Sequence, residues 1–180
     1  VDVLSFKRLA YRVFDDLGIR DVRILEETGK NLVLRKVAQQ NAEQLTVLRT
    51  NMNRMGYIDE VKSMISELMQ YNISCERLEE YADAGTLTPS LAAKLRDVAV
   101  MYRGFEEFLR GRFITAEELL GVLEKLVEQS ELLRDSVIAF DEFTGFTPVQ
   151  NRLLSTIMRY ASRMMFALTM DAHEDFAHSR

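Results

Sequence analysis

The stretch from Val137 to Gln150, VIAFDEFTGFTPVQ, carries the residue types best suited to chemistry. A short apolar run, Val137–Phe140, leads into Asp141-Glu142. A carboxylate at the end of a parallel strand sits at the rim of the sheet, where nucleotides bind. A hard oxygen ligand there can hold Mg2+ while a neighbouring acid positions an attacking water. Asp141 and Glu142 are therefore candidates for a nucleotide and magnesium site, or for its relic. Strands ending in Asp-Glu without that role are also common, so the spacing leaves both readings open. A nucleoside-triphosphatase further needs a Gly-rich loop ending in Lys. Thr28-Gly29-Lys30 offers the Gly-Lys pair without a glycine five residues earlier, and it reads as a plain turn. ATP hydrolysis by this chain is not expected.

A second stretch, Leu4–Phe14 (LSFKRLAYRVF), alternates aromatic and basic character at Phe6, Arg8 and Tyr11. Aromatic faces stack on unpaired bases, and arginine reaches base edges or phosphates. Phe6 and Tyr11 serve equally well as core residues, so packing is the competing reading. Elsewhere the signals are poorer. His173 and His178 stand near the C-terminus without obvious metal partners, and Cys75 has no histidine nearby. Glu79-Glu80, Glu106-Glu107 and Glu117-Glu118 read as solvated helix faces or caps. Arg163-Met-Met-Phe reads as a buried strand. No catalytic residue and no metal site is expected.

The elements that must position these residues are mostly helical. Pro and Gly together number ten in 180 residues, while Leu, Glu, Arg, Met and Ala dominate, and these favour helix. Ser5 can cap a helix with Leu9, Ala10, Val13, Phe14 and Leu17 on its apolar face, ending at Gly18. Residues 19–30 read as a connection, followed by helices near 31–39 and 42–53. The period of Val61, Met64, Ile65, Leu68 and Met69 predicts another over 59–71. Ser74 can cap a short helix through Tyr81. Thr88-Pro89 opens a long one to about Leu109, and Thr115–Glu118 is a capping box for the next. Val137–Phe140, a helix over 148–162, and Arg163–Met170 ending at Asp171 then predict a right-handed parallel crossover between two apolar strands.

Charge and cysteine content narrow the function classes. The net charge of −5 argues against a general polyanion binder. Residues 1–36 carry eight Lys/Arg against six Asp/Glu, whereas residues 37–136 carry eleven against seventeen. The N-terminal segment is thus the better candidate for touching nucleic acid. One cysteine excludes an internal disulfide and an all-cysteine metal or iron–sulfur site. It fits a reducing, cytoplasmic setting. No apolar run is long enough for a membrane span. The chain opens without Met in what reads as a strand-to-helix turn, so it is expected to be a piece of something longer.

LSFKRLAYRVF, a long helical interval, IAFDEFTGFTPVQ and FALTMD together resemble the AddB (RexB) subunits of AddAB (RexAB) helicase–nucleases. The landmarks cover essentially the whole chain. That resemblance implies a mostly α chain with a small α/β part: a helical insertion subdomain over 31–136, joined to a partial RecA-like parallel sheet built from 1–30 and 137–180. It implies a DNA-repair role in which the parent resects broken ends with an AddA (RexA) partner and reads the Chi sequence as single-stranded DNA. Phe6, Arg8, Tyr11 and Phe146 are the implied DNA contacts. Tyr11 stands where the family commonly has Trp, and Glu142 where it often has Gly. ATP with Mg2+ and an iron–sulfur cluster are implied for the parent, with no cofactor in this chain. Two other readings stay open. A fragment of an active superfamily 1 helicase of the UvrD or AddA type would make Asp141 and Glu142 true magnesium residues. A helical protein-interaction module would bury Phe6 and Tyr11 and pair Arg8 with a carboxylate.

Overall fold

The computed structural model describes residues 1–51, 54 and 56–168, with the backbone alone at Leu168. The expected positions Met170, Asp171, His173 and His178 lie outside the described residues. The chain forms two compact units, residues 1–18 with 120–180, and residues 19–119. It is mostly helical with a small parallel sheet.

The 19–119 unit is helical. Helix α2 (Glu27–Gln40) places Val33, Leu34, Val37 and Ala38 on one buried face, spaced three and four apart. Helices α3 (Tyr57–Gln70), α4 (Cys75–Asp83) and α5 (Pro89–Leu109) complete the core, with Ile58, Ile65, Leu78, Met101 and Phe105 buried together. Their starts follow the sequence signals. The Ser74 hydroxyl accepts from the Arg77 N–H, and Thr88 accepts from Leu91 with Pro89 at the first helical position. Helix α6 (Ala116–Leu126) opens on the expected capping box. Thr115 Oγ1 accepts from the Glu118 N–H at 3.2 Å, and the Thr115 N–H donates to Glu118 Oε2 at 2.8 Å. Gly104 lets α2 and α5 approach, because a Cβ there would lie 2.6 Å from Val37 Cγ1.

Two local expectations are corrected. The helix expected over 42–53 does not form; its described residues run as turns and bends. The cause is Asp97, a buried residue of α5. Its carboxylate accepts from the backbone N–H groups of Thr46, Val47 and Leu48 at 2.7–3.0 Å and from the Thr46 hydroxyl at 3.1 Å. Those amides point at a side chain from another helix rather than at carbonyls four residues back. The connection expected over 19–30 is shorter, because α2 begins at Glu27. Within it Ile24 bridges Ile114 in parallel fashion, which ties the segment to the helical unit.

In the other unit, helix α1 (Phe6–Asp16) starts at Ser5, whose hydroxyl accepts from the Arg8 N–H, and buries Ala10, Val13 and Phe14. Strand β1 (Val137–Phe143), helix α7 (Pro148–Ile157) and strand β2 (Arg163–Leu168) form the expected parallel crossover. A full capping box, Thr147 with Gln150, begins α7. The strands are not buried throughout. Phe140 is 8 % exposed, but Val137, Met165 and Phe166 are 64 %, 43 % and 41 % exposed. Two strands leave faces open that a larger parallel sheet covers on both sides. Residues 120–136 belong with this unit, where Ser130 donates to Asp16 Oδ2 at 3.1 Å.

Candidate nucleic-acid surface

Strand β1 runs through Asp141-Glu142 rather than stopping before them. Phe140 is paired with Phe166 and Phe143 with Leu168, so β1 advances three residues while β2 advances two. That is a bulge of one extra residue. Glu142 takes up the extra length in a left-handed conformation, φ 63°, and its N–H donates to Asp141 Oδ1 at 2.9 Å. Both carboxyl side chains are exposed. One oxygen of Asp141 is thereby occupied by the neighbouring amide. No group of three His, Cys, Asp or Glu suited to a metal ion occurs among the described residues. The pair's evident local role is to shape the strand, and the left-handed backbone at 142 accounts physically for a glycine there.

The bulge decides which side chains meet. In a regular strand, residues three apart face opposite sides. With one residue inserted, Phe140 and Phe143 fall on the same side, their ring centroids 6.1 Å apart. Phe146, beyond the strand end, stacks on Phe143 at 4.9 Å and meets Phe140 edge-on at 6.1 Å. Phe166 of β2 stacks on Phe140 at 5.0 Å. Phe6 closes the cluster, 6.0 Å from Phe140 and 5.7 Å from Phe143. The first turn of α1 is thus seated on the sheet by aromatic contact, and the two sequence stretches singled out for chemistry come together. Phe166 remains well exposed and Phe146 half-buried.

The four candidate DNA contacts divide into two groups. Phe6 and Phe146 belong to the ring cluster. Arg8 and Tyr11, three residues apart on α1, share the opposite, open face. Tyr11 is 39 % exposed and rests edge-on against Phe14 at 6.2 Å. Arg8 is exposed; its backbone N–H donates to the Ser5 hydroxyl, and its guanidinium has no hydrogen bond or ion pair among the described residues. Sequence reasoning missed Phe140, Phe143 and Phe166. The spacing of 140, 143 and 146 was visible, but a common face for them required the bulge.

Two other stretches resolve into structure. Lys30 lies in the first turns of α2, 1 % exposed, with Glu117 oxygens at 2.9 and 3.0 Å, Glu27 at 2.8 Å and Ser66 at 3.4 Å. Burial opposes its charge, yet the hydrogen bonds to Glu27 and Glu117 outweigh it and hold its pKa above the ordinary lysine value. Its ammonium is committed inside the fold. Cys75 is buried, and its thiol donates to Glu106 Oε2 at 3.5 Å. Burial, reinforced by that carboxylate, pushes the thiol up to about 12, so the nucleophilic thiolate is scarce at neutral pH. A single cysteine cannot hold an iron–sulfur cluster.

A helical unit, together with a parallel strand–helix–strand crossover bearing a five-phenylalanine cluster, defines a mainly helical protein with a small α/β part. Comparison with known proteins takes the assignment further. Residues 1–180 match the family described as ADDB, N-terminal, and the chain belongs to that family. It is 39 % identical over 171 residues to the B subunit of the ATP-dependent helicase/deoxyribonuclease of Lachnoclostridium phytofermentans, an alignment covering 95 % of this chain. The proteins of the same name from Clostridium kluyveri and Clostridioides difficile are 33 % and 35 % identical over 97 % and 95 % of the chain. The chain spans 15 % of the length of these relatives. No helix among the described residues is long and apolar enough to cross a membrane.

Proposed function

We propose that this chain is the N-terminal part of the B subunit of a helicase/deoxyribonuclease that acts in DNA double-strand break repair. In this reading α1 and the β1 bulge form part of the channel through which single-stranded DNA passes and in which Chi is read. The observation that carries it is the joining of the two stretches: an open face bearing Arg8 and Tyr11, on a helix whose first turn is seated by Phe6 on a partly open ring cluster. Tyr11 supplies a face for base stacking, and Arg8 supplies donors for a base edge or phosphate. Phe6 is a positioning residue, since its ring packs against Phe140 and Phe143. Phe146 lies at the margin of the same cluster. The exposure of Tyr11, and of Arg8 with no ion pair among the described residues, favours this reading over a helical interaction module that would bury Phe6 and Tyr11 and pair Arg8 with a carboxylate. The bulge at Asp141-Glu142 disfavours an active magnesium site at that place.

Partner, nucleotide and cluster belong to the same proposal. The relatives are named as one subunit of an ATP-dependent enzyme, so an A-type partner (AddA or RexA) and ATP with Mg2+ are assigned to the assembled complex. Lys30 is held by Glu27 and Glu117, which leaves no lysine placed for a phosphate loop at that turn. An iron–sulfur cluster would need cysteines from elsewhere in the full-length protein. The test uses the full-length protein assembled with its partner, carrying Arg8→Ala and Tyr11→Ala. Degradation and unwinding are compared on DNA with and without Chi. Loss of the Chi response with bulk unwinding retained is the expected result. An unchanged response in a well-folded complex would make both residues packing and sink the proposal.

A further inference from the structure

The geometry points to a second nucleic-acid contact in the helical unit: a phosphate-binding patch built around Phe108, Lys36 and Arg112. It rests on the reading of the parent as a DNA enzyme. Lys36 Nζ lies 5.4 Å from the Phe108 ring centroid, and the Arg112 guanidinium carbon lies 5.2 Å from it. Both cations are exposed. They come from different elements, α2 and the turn after α5, so one ring at the end of α5 brings them together. The two charges therefore stand no more than about 11 Å apart, close to the Debye length of about 10 Å at 0.1 M salt.

The feature that sets this pair apart is that two cations from different elements share one ring. Lys30, Lys62, Arg96 and Arg103 each have a carboxylate within ion-pair distance. Lys36 and Arg112 form no ion pair among the described residues. Holding two like charges beside one ring, neither in an ion pair among the described residues, raises the local positive potential and favours an anion. Further basic residues flank the patch along the chain. Arg110 is exposed, and Gly111 at φ 71° turns the backbone tightly between it and Arg112. Ile114 pairs with the 23–25 segment, its N–H donating to the Arg23 carbonyl at 2.9 Å, which brings another exposed arginine's backbone beside the turn. An ammonium and a guanidinium steadied by an aromatic face suit backbone phosphates, which carry charge but no sequence information. The patch thus contributes affinity and register, while sequence reading stays on α1. An acidic protein surface is the competing occupant, and the test separates the two.

The full-length protein is assembled with its partner, and binding to a blunt duplex end and to a single-stranded oligonucleotide is titrated with salt. The unaltered complex is compared with the double variant Lys36→Gln/Arg112→Gln and with Arg112→Lys, which keeps the charge. The expected result for the double variant is a shallower dependence of log affinity on log salt, by about 0.9 for each duplex phosphate no longer neutralised. Affinity near physiological salt should fall on the order of tenfold. Arg112→Lys should keep the slope, and every variant should keep the Chi response. Unchanged slopes on both DNAs overturn the inference. So does impaired assembly with unchanged DNA binding per assembled complex, which assigns the patch to protein. If the unaltered complex binds neither DNA, the proposed function fails as well, and the patch with it.

Discussion

Asp97 and Lys30 are the two residues whose local chemistry most shapes the helical unit. Asp97 accepts three backbone amides and one hydroxyl of the 46–48 turn. Asp97→Ala should cost about 3 kcal/mol, because donors in a partly buried turn lose a charged acceptor. Chemical denaturation measures that cost, and faster amide exchange at Thr46–Leu48 would localise it. Lys30 sits between Glu27 and Glu117, so removing it leaves Glu117 charged and enclosed. Lys30→Met alone should cost about 3–5 kcal/mol, whereas Lys30→Met with Glu117→Leu should recover much of the loss. A strictly additive double-mutant cycle would disprove the coupling. The pH dependence has two arms. The raised Lys30 pKa means that its contribution is complete below the ordinary lysine value of 10.5 and is lost as pH rises through the higher folded value. Burial works to raise Glu117, but the hydrogen bond from Lys30 prevails and lowers its pKa. Its contribution is present above 4.5 and is lost as pH falls through the lower folded value. Unfolding midpoints measured across pH should show both arms in the natural chain and lose them in the double variant.

At the scale of elements, one extra residue in β1 organises the aromatic cluster. Glu142 adopts φ 63°, which costs a non-glycine residue about 1–2 kcal/mol. Glycine removes that strain but adds about 0.5–1 kcal/mol of chain entropy. Glu142→Gly should therefore stabilise by up to about 1 kcal/mol and leave the ring cluster intact. A clear destabilisation would mean that the carboxylate has a binding role. Deleting Glu142 is the harsher test. It removes the bulge and turns Phe143 to the opposite face, so the seat of Phe6 is lost and the unit should unfold earlier in a thermal scan. The packing of α2 on α5 has a similar pivot at Gly104. Gly104→Ala should destabilise by about 1–3 kcal/mol despite alanine's better helix propensity, because Val37 is buried and cannot yield.

For the molecule as a whole, two compact units carry different surfaces. The unit of residues 1–18 and 120–180 holds the ring cluster and the open Arg8–Tyr11 face. The unit of residues 19–119 holds the Phe108 patch. The fold class was legible in advance because capping residues and helical periods are local signals. Ser5, Ser74, Thr88 and Thr115 each act as the cap that their sequence context predicts. The compact units divide at 18/19 and 119/120, and the ties within them are long-range: the Ile24–Ile114 bridge, Lys30 with Glu117, and Ser130 with Asp16.

The amino-acid sequence by itself determined most of the helices, the starts of α1, α4, α5 and α6, the parallel crossover and the two stretches worth inspecting. Hydrophobic period and capping chemistry act within a few residues and need no partner. Only the tertiary structure decided the rest. It turned residues 46–48 away from helix through a carboxylate some fifty residues distant. It placed Lys30 inside a carboxylate pair instead of a loop. It brought Phe6 onto Phe140 and Phe143 through a bulge that no spacing rule announces. In each case the deciding interaction joins residues far apart in the chain, so its energy is invisible until the chain has folded.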